Sequence, residues 1–217
     1  MIKYHLGCGK NYIPGYINVD FPSDHHNVNK NIKADIYDNI LTMKYEKSDE
    51  IRLHHVFEHF GYSESLALLI KWTDSIIING RLIIEVPDVK ILAKILGKTS
   101  DQEVEFNIIR YLYGCQSSHW GYHINNWTEG MFRYILNELG YNIIFVGRNG
   151  DKNSKRPNIS IIIEAKKQSN ICISNMITIS KNILKKYLNE KDGEVRNSLA
   201  LYNIYIAKLE ECFSEKK

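Results

Sequence analysis

The sequence predicts an α/β fold built around a mostly parallel sheet, and two observations support it. Short apolar runs rich in Ile and Val alternate along the chain with longer stretches that carry apolar residues at helical spacings of three and four. Strands that alternate with helices in this way form a parallel sheet covered by helices. The last two apolar runs are joined by a short polar segment, 148–157, which suits a hairpin. That hairpin predicts an antiparallel strand at the edge of the sheet.

The predicted elements follow one another through the first 165 residues. Apolar runs bounded by Gly, Pro, Asn or Asp predict strands at 2–6, 16–19, 50–54, 81–86, 142–147 and 158–165. Helical spacings predict helices at 63–78, 89–96, 103–112 and 128–139. The fourth helix also carries end signals, because Thr128 can cap its N-terminus and Gly140 stands where a helix would terminate.

The chain after residue 168 has a different character. Apolar residues recur at spacings of 4, 3, 4, 3 and 4 between Val195 and Phe213. A second amphipathic stretch covers 173–188, and Lys191-Asp192-Gly193 forms the break between the two. We therefore expect one domain at 1–168 followed by a helical hairpin at 169–217. The apolar stripe of the hairpin either packs on the parent domain or the partner helix, or forms a homodimer interface.

Composition excludes several classes of protein. The chain has 217 residues with 28 basic and 25 acidic side chains, a balance that argues against a nucleic-acid partner or a polybasic membrane binder. The four cysteines form no C-x-x-C pair, so neither a zinc knuckle nor a disulfide framework is expected. The N-terminus lacks a long apolar segment, and no apolar run approaches the roughly 18 residues of a membrane span. We expect a soluble, cytoplasmic protein.

A glycine-containing turn follows the first predicted strand. In a parallel sheet this edge binds ligands, and the absence of side chains at Gly7 and Gly9 lets the backbone approach a ligand. Free N–H groups in such a turn can hold an anionic group. Asp20 ends the second strand, where a carboxylate can accept both hydroxyls of a ribose, and Asp35 could accept from the exocyclic amine of a base. The order of these residues indicates a nucleotide-type ligand.

Four segments together resemble class I S-adenosylmethionine-dependent methyltransferases, and most closely the bacterial branch associated with surface-polysaccharide biosynthesis. They are H-L-G-C-G at 5–9, Y-I-P-G-Y-I-N-V-D at 12–20, D-E-I-R-L-H-H-V-F-E-H-F at 49–60 and G-R-L-I-I-E-V-P-D at 80–88. The resemblance covers residues 1–165 and implies a Rossmann-like sheet of seven mostly parallel strands with one antiparallel strand. Two positions depart from the family pattern: His5 replaces an acid or Asn, and Asn11 replaces a third glycine.

The resemblance also implies which residues bind the cofactor, S-adenosylmethionine. They are Gly7, Cys8 and Gly9 at the methionine part, Leu53 and His54 beside its amino group, Asp20 at the ribose, and Asp35 with Ile36 at the adenine.

Histidines are the candidates for the acceptor side of the site. His55, Glu58 and His59 match the inverted H-x-x-E-H pattern of zinc hydrolases, but their position after a strand fits the methyltransferase pattern better, and no metal is expected. In that interpretation His55 faces the acceptor, whereas His59 is packed below the site. His123, in H-I-N-N-W-T, resembles a second family pattern, and His119 is an extra candidate without a counterpart.

The chemistry leaves the acceptor open. Methyl transfer is an in-line displacement, so an alcohol acceptor benefits from a histidine base, which His123 or His55 could supply. An anionic acceptor would instead need arginines, and the candidates are Arg110, Arg133, Arg148 and Arg156. We expect O-methylation of a sugar, nucleotide-linked or phosphorylated small molecule in surface-polysaccharide biosynthesis, with that small molecule or glycan precursor as the partner. N-methylation of an amino sugar or small amine, and a cofactor-binding module without turnover, are the alternatives.

Overall fold

The computed structural model describes residues 1–22, 31–187 and 195–213. Within them the strands are β1 (Lys3–Leu6), β2 (Ile17–Asp20), β3 (Ile36–Tyr37), β4 (Ser48–His54), β5 (Ile76–Pro87), β6 (Tyr141–Asn149) and β7 (Ser160–Lys167). The helices are α1 (Tyr62–Ser75), α2 (Val89–Leu96), α3 (Gln102–Tyr113), α4 (Glu129–Glu138), α5 (Ile173–Tyr187) and α6 (Val195–Glu211). Short 3-10 helices lie at Phe57–His59 and His119–Gly121.

The strands form one sheet in the order β3-β2-β1-β4-β5-β7-β6. All neighbouring pairs are parallel except those of β7, which is antiparallel to both β5 and β6. The predicted Rossmann-like sheet of seven strands with one antiparallel strand is therefore confirmed. The prediction that the antiparallel strand lies at the edge of the sheet is wrong, because the antiparallel strand is β7 and it lies between β5 and β6. The burial explains this order, since Ile161, Ile163 and Ala165 of β7 are buried whereas Ile144 and Phe145 of β6 are exposed.

Two element boundaries differ from those predicted. The helix expected at 63–78 ends at Ser75, because the backbone at Ile76 already pairs with Ser48 as the start of β5. The strand β3 gave no sequence signal, since it has only two residues and both are exposed. The signals of the fourth helix are confirmed: the Thr128 hydroxyl accepts from the Met131 N–H at 3.3 Å, and Gly140 follows with a φ of +82°.

The C-terminal helices pack on the sheet domain. Both α5 and α6 contact α1, and the buried side chains Met176, Leu184 and Leu209 belong to the same hydrophobic core as the sheet. The part of the stripe whose side chains are described, Ile206, Leu209 and Phe213, packs on the core of the parent domain, and a homodimer through these helices stays a prediction. The predicted break at Lys191-Asp192-Gly193 lies outside the described residues. Across the described ranges, the helices lack the combination of length and apolarity that a membrane crossing requires.

Candidate active site

A cavity of about 710 Å³ opens at the carboxyl ends of the parallel strands, where sheets of this kind bind ligands. Its lining brings together the glycine turn after β1, the end of β2, the segment after β4 and the loop between α3 and α4. The lining residues are Gly7, Gly9, Asp20, Phe21, Asp38, Ile40, His55, Val56, His59, Phe60, Arg110, Tyr111, Gly114, Cys115, Ser117, Ser118, Trp120, Gly121 and His123.

Both glycines of the turn have left-handed backbone conformations. The φ angles are +61° at Gly7 and +53° at Gly9, a region that residues with a Cβ rarely adopt. A Cβ on Gly7 would lie 2.4 Å from Cγ2 of Val56, whereas a Cβ on Gly9 would meet no heavy atom within 4 Å. Gly7 therefore permits close packing of the turn against the segment after β4, and Gly9 leaves open space beside the cavity.

The N–H groups of the turn are largely used within the protein. The Cys8 N–H donates to the carbonyl of Val19 at 3.1 Å, the Gly9 N–H to Oδ2 of Asp20 at 2.6 Å, and the Asn11 N–H to the carbonyl of Cys8 at 2.8 Å. The role expected for these groups, holding an anion, does not fit this arrangement. What the turn offers a ligand at these positions is clearance rather than free donors.

Asp20 has a fixed orientation at the tip of β2. It is 6% exposed and lines the cavity. Its Oδ2 accepts from the Gly9 N–H, and its Oδ1 accepts from the Phe21 N–H at 2.7 Å. These two bonds fix the orientation of the carboxylate at the cavity.

Asp35 and Ile36 lie outside the cavity lining, and Asp38 and Ile40 lie in it. The Asp35 carboxylate accepts from the Asn18 N–H at 2.8 Å and from the Tyr12 hydroxyl at 2.8 Å. These bonds, with that from Asn18 the largest contribution, lower the pKa of Asp35. The sequence did not single out Asp38, because the position of the carboxylates relative to the sheet depends on the unrecognised strand β3.

Three more predicted cofactor residues direct their side chains elsewhere. Cys8 and Leu53 are buried, and burial raises the pKa of the Cys8 thiol to about 12. Nδ1 of His54 donates to Oε2 of Glu85 at 2.6 Å, and its Nε2 accepts from Nε of Arg52 at 3.2 Å. Any contact of these residues with a ligand in the cavity would therefore run through their main-chain atoms.

His55 lies at the cavity beside a buried carboxylate. Its φ is +53°, and its Nδ1 lies 3.1 Å from Oε1 of Glu58. Since a carboxylate can only accept, Nδ1 carries the hydrogen and Nε2 is left as an acceptor, 3.0 Å from Oγ of Ser160 and 3.4 Å from the Tyr111 hydroxyl. Burial lowers the pKa of His55, but the hydrogen bond and charge of Glu58 and the charge of Glu85 together raise it above its usual value.

Two further imidazoles adjoin the same carboxylate. The rings of His59 and His123 meet edge to face with their centroids 4.8 Å apart, and Nε2 of His123 lies 3.9 Å from Oε1 of Glu58. Nδ1 of His59 donates to the carbonyl of Tyr122 at 2.8 Å, so its Nε2 is the bare nitrogen. Burial lowers the pKa of His123. His59 thus lies in the cavity lining, and not below the site as the sequence suggested.

The loop between α3 and α4 supplies one wall of the cavity. Trp120 stacks on Phe21, which follows β2, with ring centroids 4.3 Å apart and an angle of 24°. His119 begins the 3-10 helix of this loop, and its side chain lies outside what the structure describes. Of the predicted arginines, Arg110 lines the cavity.

Two of the other candidate arginines are engaged at a distance from the lining. Arg133 pairs with Glu129 at 2.8 Å, and Arg148 pairs with Asp88 at 2.8 Å. Arg110 is therefore the predicted arginine that the fold brings to the cavity.

No protein-family model matches the chain, and no curated protein does. Among solved structures, the fold is similar to magnesium protoporphyrin IX methyltransferase from Synechocystis PCC 6803 with bound SAH, at 16% identity over 77% of this chain and 74% of that one, with a TM-score of 0.49. It is also similar to a SAM-dependent methyltransferase from Methanosarcina mazei, at 11% identity over 77% of this chain and 92% of that one, with a TM-score of 0.46. A third similar structure is the mitomycin 7-O-methyltransferase MmcR, at 10% identity over 76% of this chain and 48% of that one, with a TM-score of 0.49. Likenesses this distant assign neither an activity nor a ligand to this chain.

Proposed function

We propose that the protein is an S-adenosylmethionine-dependent methyltransferase that methylates an oxygen of a small acceptor. The observation that carries the proposal is one cavity lined both by the glycine turn with Asp20 and by a cluster of histidines. A direct displacement requires the methyl donor and the nucleophile in one shared space, aligned and shielded from water. The shared lining of the two predicted half-sites supports the proposal on this point.

The residues present fit the cofactor. A Cβ at Gly9 would project into open space, so the turn leaves room for a ligand against its backbone. Asp20 lines the same cavity, where two backbone N–H groups orient it, and a carboxylate is the type of acceptor that ribose hydroxyls need. Asp38 and Ile40 lie in the same lining, where an adenine would need an acceptor for its amine and an apolar contact. When bound, the cofactor supplies a methyl group activated on a sulfonium.

His55 is the residue that we assign as the base for an acceptor hydroxyl. Glu58 holds Nδ1–H of His55, which leaves Nε2 as the acceptor and stabilises the imidazolium that forms when Nε2 takes a proton. The stacked pair Phe21 and Trp120 closes one wall and excludes water. His123, the other base considered, adjoins the same Glu58 and is kept uncharged by burial.

The position of Arg110 in the cavity lining favours an acceptor with an anionic group. It contributes a permanent positive charge to the cavity, and a guanidinium recognises phosphate or carboxylate by paired hydrogen bonds. We therefore favour a phosphorylated or nucleotide-linked hydroxyl compound, such as an activated sugar. A place in surface-polysaccharide biosynthesis rests on the sequence resemblance alone.

The test is to measure binding and turnover separately. Calorimetry with S-adenosylhomocysteine should give saturable binding, and labelled S-adenosylmethionine should transfer its methyl group to a small-molecule fraction of a bacterial extract. His55→Gln should keep the binding and lose about 10²–10⁴-fold in turnover. Arg110→Gln should raise KM for the acceptor, whereas the matched control Arg133→Gln should leave it unchanged.

Each half of the proposal can fail separately. Binding without transfer to any extract component would leave a cofactor-binding module. A folded protein that binds neither S-adenosylmethionine nor its demethylated product would overturn the assignment as a whole.

A further inference from the structure

The fold brings a carboxylate and two imidazoles together beside the cavity. Glu58 and His59 come from the 3-10 helix after β4, and His123 comes from the loop before α4. One ligand atom from each of the three residues lies within 4.8 Å of the other two. We propose that they form a binding site for a divalent transition metal such as Zn²⁺ or Mn²⁺. Two imidazoles with one carboxylate suit these ions better than Mg²⁺, which prefers oxygen ligands.

A buried, unpartnered oxygen points to a bound cation. Glu58 is 1% exposed, and its Oε2 has no hydrogen-bond partner among the described residues. The same holds for Nδ1 of His123 within those residues. A buried carboxylate oxygen that accepts from no protein donor is costly, because its lost hydration is not compensated by the protein. A cation held at Glu58 would provide that compensation.

Hydrogen bonds already orient two of the three side chains, those of His59 and Glu58, as metal ligands. Nδ1–H of His59 donates to the carbonyl of Tyr122, which fixes the tautomer whose Nε2 is free to coordinate. Nδ1–H of His55 donates to Oε1 of Glu58 and orients the carboxylate. These are the outer contacts that protein metal sites use to fix their ligands.

Main-chain bonds set the distance between the two segments. The N–H groups of Ile124 and Asn125 both donate to the carbonyl oxygen of Glu58, at 2.9 and 3.0 Å. They join the loop that carries His123 to the 3-10 helix that carries Glu58 and His59. The ligand set is therefore held by the backbone, and does not depend on the packing of the side chains alone.

This set differs from the zinc-hydrolase pattern in the sequence. That pattern takes both histidines of H-x-x-E-H from one helix, but here His55 lies before the 3-10 helix, in a left-handed conformation, and hydrogen-bonds to Glu58. His123 takes the place that the pattern gives to His55. The expectation of no metal rested on the sequence, where His59 and His123 are 64 positions apart.

The site would deepen the proposed function, on which this step of the inference rests. Three protein ligands leave coordination positions open toward the cavity, because His59 and His123 both line it. An acceptor hydroxyl bound at such a position has a lowered pKa, so it loses its proton to His55 more readily. A chelating acceptor, with a second oxygen next to the methylated one, would fit this arrangement best.

Metal binding can be measured without any activity assay. The full chain is stripped with a chelator and titrated with Zn²⁺, Mn²⁺ and Mg²⁺ by calorimetry, with the bound metal counted after dialysis. We expect one Zn²⁺ or Mn²⁺ per chain, bound at least tenfold tighter than Mg²⁺, and visible absorption bands of low-symmetry Co²⁺ on cobalt substitution. His59→Ala and Glu58→Gln should lower the affinity by more than the roughly 10–100-fold that His55→Gln costs as an outer contact.

Two controls make the result decisive. Cys115→Ser removes the thiol of the same cavity and should leave the metal affinity unchanged. Circular dichroism checks that each variant folds. If His59→Ala does not fold, the more conservative His59→Gln takes its place. Absence of Zn²⁺ and Mn²⁺ binding by the folded wild type, or equal binding by the ligand variants, overturns the site. If the stripped protein still transfers methyl groups at the full rate, the role of the metal in the reaction is overturned and the proposed function stands. Metal binding without S-adenosylhomocysteine binding would overturn the proposed function alone.

Discussion

Alanine substitution of the two turn glycines should separate packing from ligand clearance. At both positions the left-handed backbone makes a Cβ unfavourable by about 1–2 kcal/mol. At Gly7 the new Cβ would also lie 2.4 Å from Cγ2 and 3.3 Å from Cγ1 of Val56, and overpacking of this kind costs about 1–3 kcal/mol more. Gly7→Ala should therefore lower the free energy of unfolding by about 2–5 kcal/mol, and Gly9→Ala by about 1–2 kcal/mol.

Gly9→Ala, the variant expected to lose less stability, should lose the cofactor affinity. The Cβ of Gly9→Ala meets no protein atom within 4 Å and lies at the cavity, so it takes up space that the bound cofactor needs. Urea unfolding and calorimetry with S-adenosylhomocysteine on the same samples measure both quantities. We expect Gly9→Ala to lose affinity at least tenfold while remaining the more stable of the two variants.

A second substitution at Val56 tests the cause of the Gly7 effect. Val56→Ala removes both Cγ atoms and leaves Cβ 3.4 Å from the new methyl group, an ordinary contact. The double variant should be more stable than the sum of the single effects by about 1–3 kcal/mol, the overpacking part of the loss. Additive effects would refute the argument, because they would show that the contact with Val56 contributes nothing.

Three further predictions concern the tail, a buried histidine and the carboxylates. Leu209→Ala should lower the free energy of unfolding by about 2–5 kcal/mol in urea, because the side chain is 0% exposed in the main core. Ile204→Ala on the same helix, 52% exposed, should change it by less than about 0.5 kcal/mol, and a larger, concentration-dependent loss would mean that a second copy covers this face. Burial lowers the pKa of His5, so the unfolded chain binds the proton more readily and stability falls as the pH drops below about 6.5. His5→Gln should remove that dependence, by at most about 1.4 kcal/mol per pH unit between pH 5 and 7, and identical slopes would contradict the assignment. Asp38→Asn should weaken S-adenosylhomocysteine binding whereas Asp35→Asn should not, and the reverse result would restore the sequence-based assignment.

Local patterns predicted the parts of the site that lie on one element. The glycine turn and Asp20 could be found because Gly7, Gly9 and Asp20 lie at the ends of strands with clear apolar runs. The carboxylate at the third strand could not be placed, because β3 has two exposed residues and no periodic signal. Without that strand, nothing distinguishes Asp35, which Asn18 and Tyr12 engage, from Asp38, which lines the cavity.

The histidine cluster depends on contacts that a single sequence does not encode locally. His123 reaches Glu58 because two N–H groups of its loop bond to the Glu58 carbonyl, across more than 60 positions. The pattern H-x-x-E-H drew attention to His55 and His59 as a pair on one helix. In the structure His55 has a left-handed backbone and precedes the 3-10 helix that carries Glu58 and His59. The sequence therefore identified the residues but not the grouping of Glu58 and His59 with His123.

Several departures from local rules lie at this cavity. Gly7, Gly9 and His55 have left-handed backbones, and Glu58 carries a buried oxygen without a described partner. The left-handed backbone of His55 and the unpartnered oxygen of Glu58 each cost on the order of 1–3 kcal/mol and persist only where the surrounding structure enforces them. A second cavity of about 400 Å³ between α1, α4 and α5 is lined mainly by apolar and aromatic side chains. Nε1 of Trp127 in its lining also has no partner among the described residues, but none of its lining residues has a left-handed backbone, and it contains no histidine or carboxylate. Because unfavourable local features are retained mostly where function requires them, the first cavity is the one where we expect the chemistry to occur.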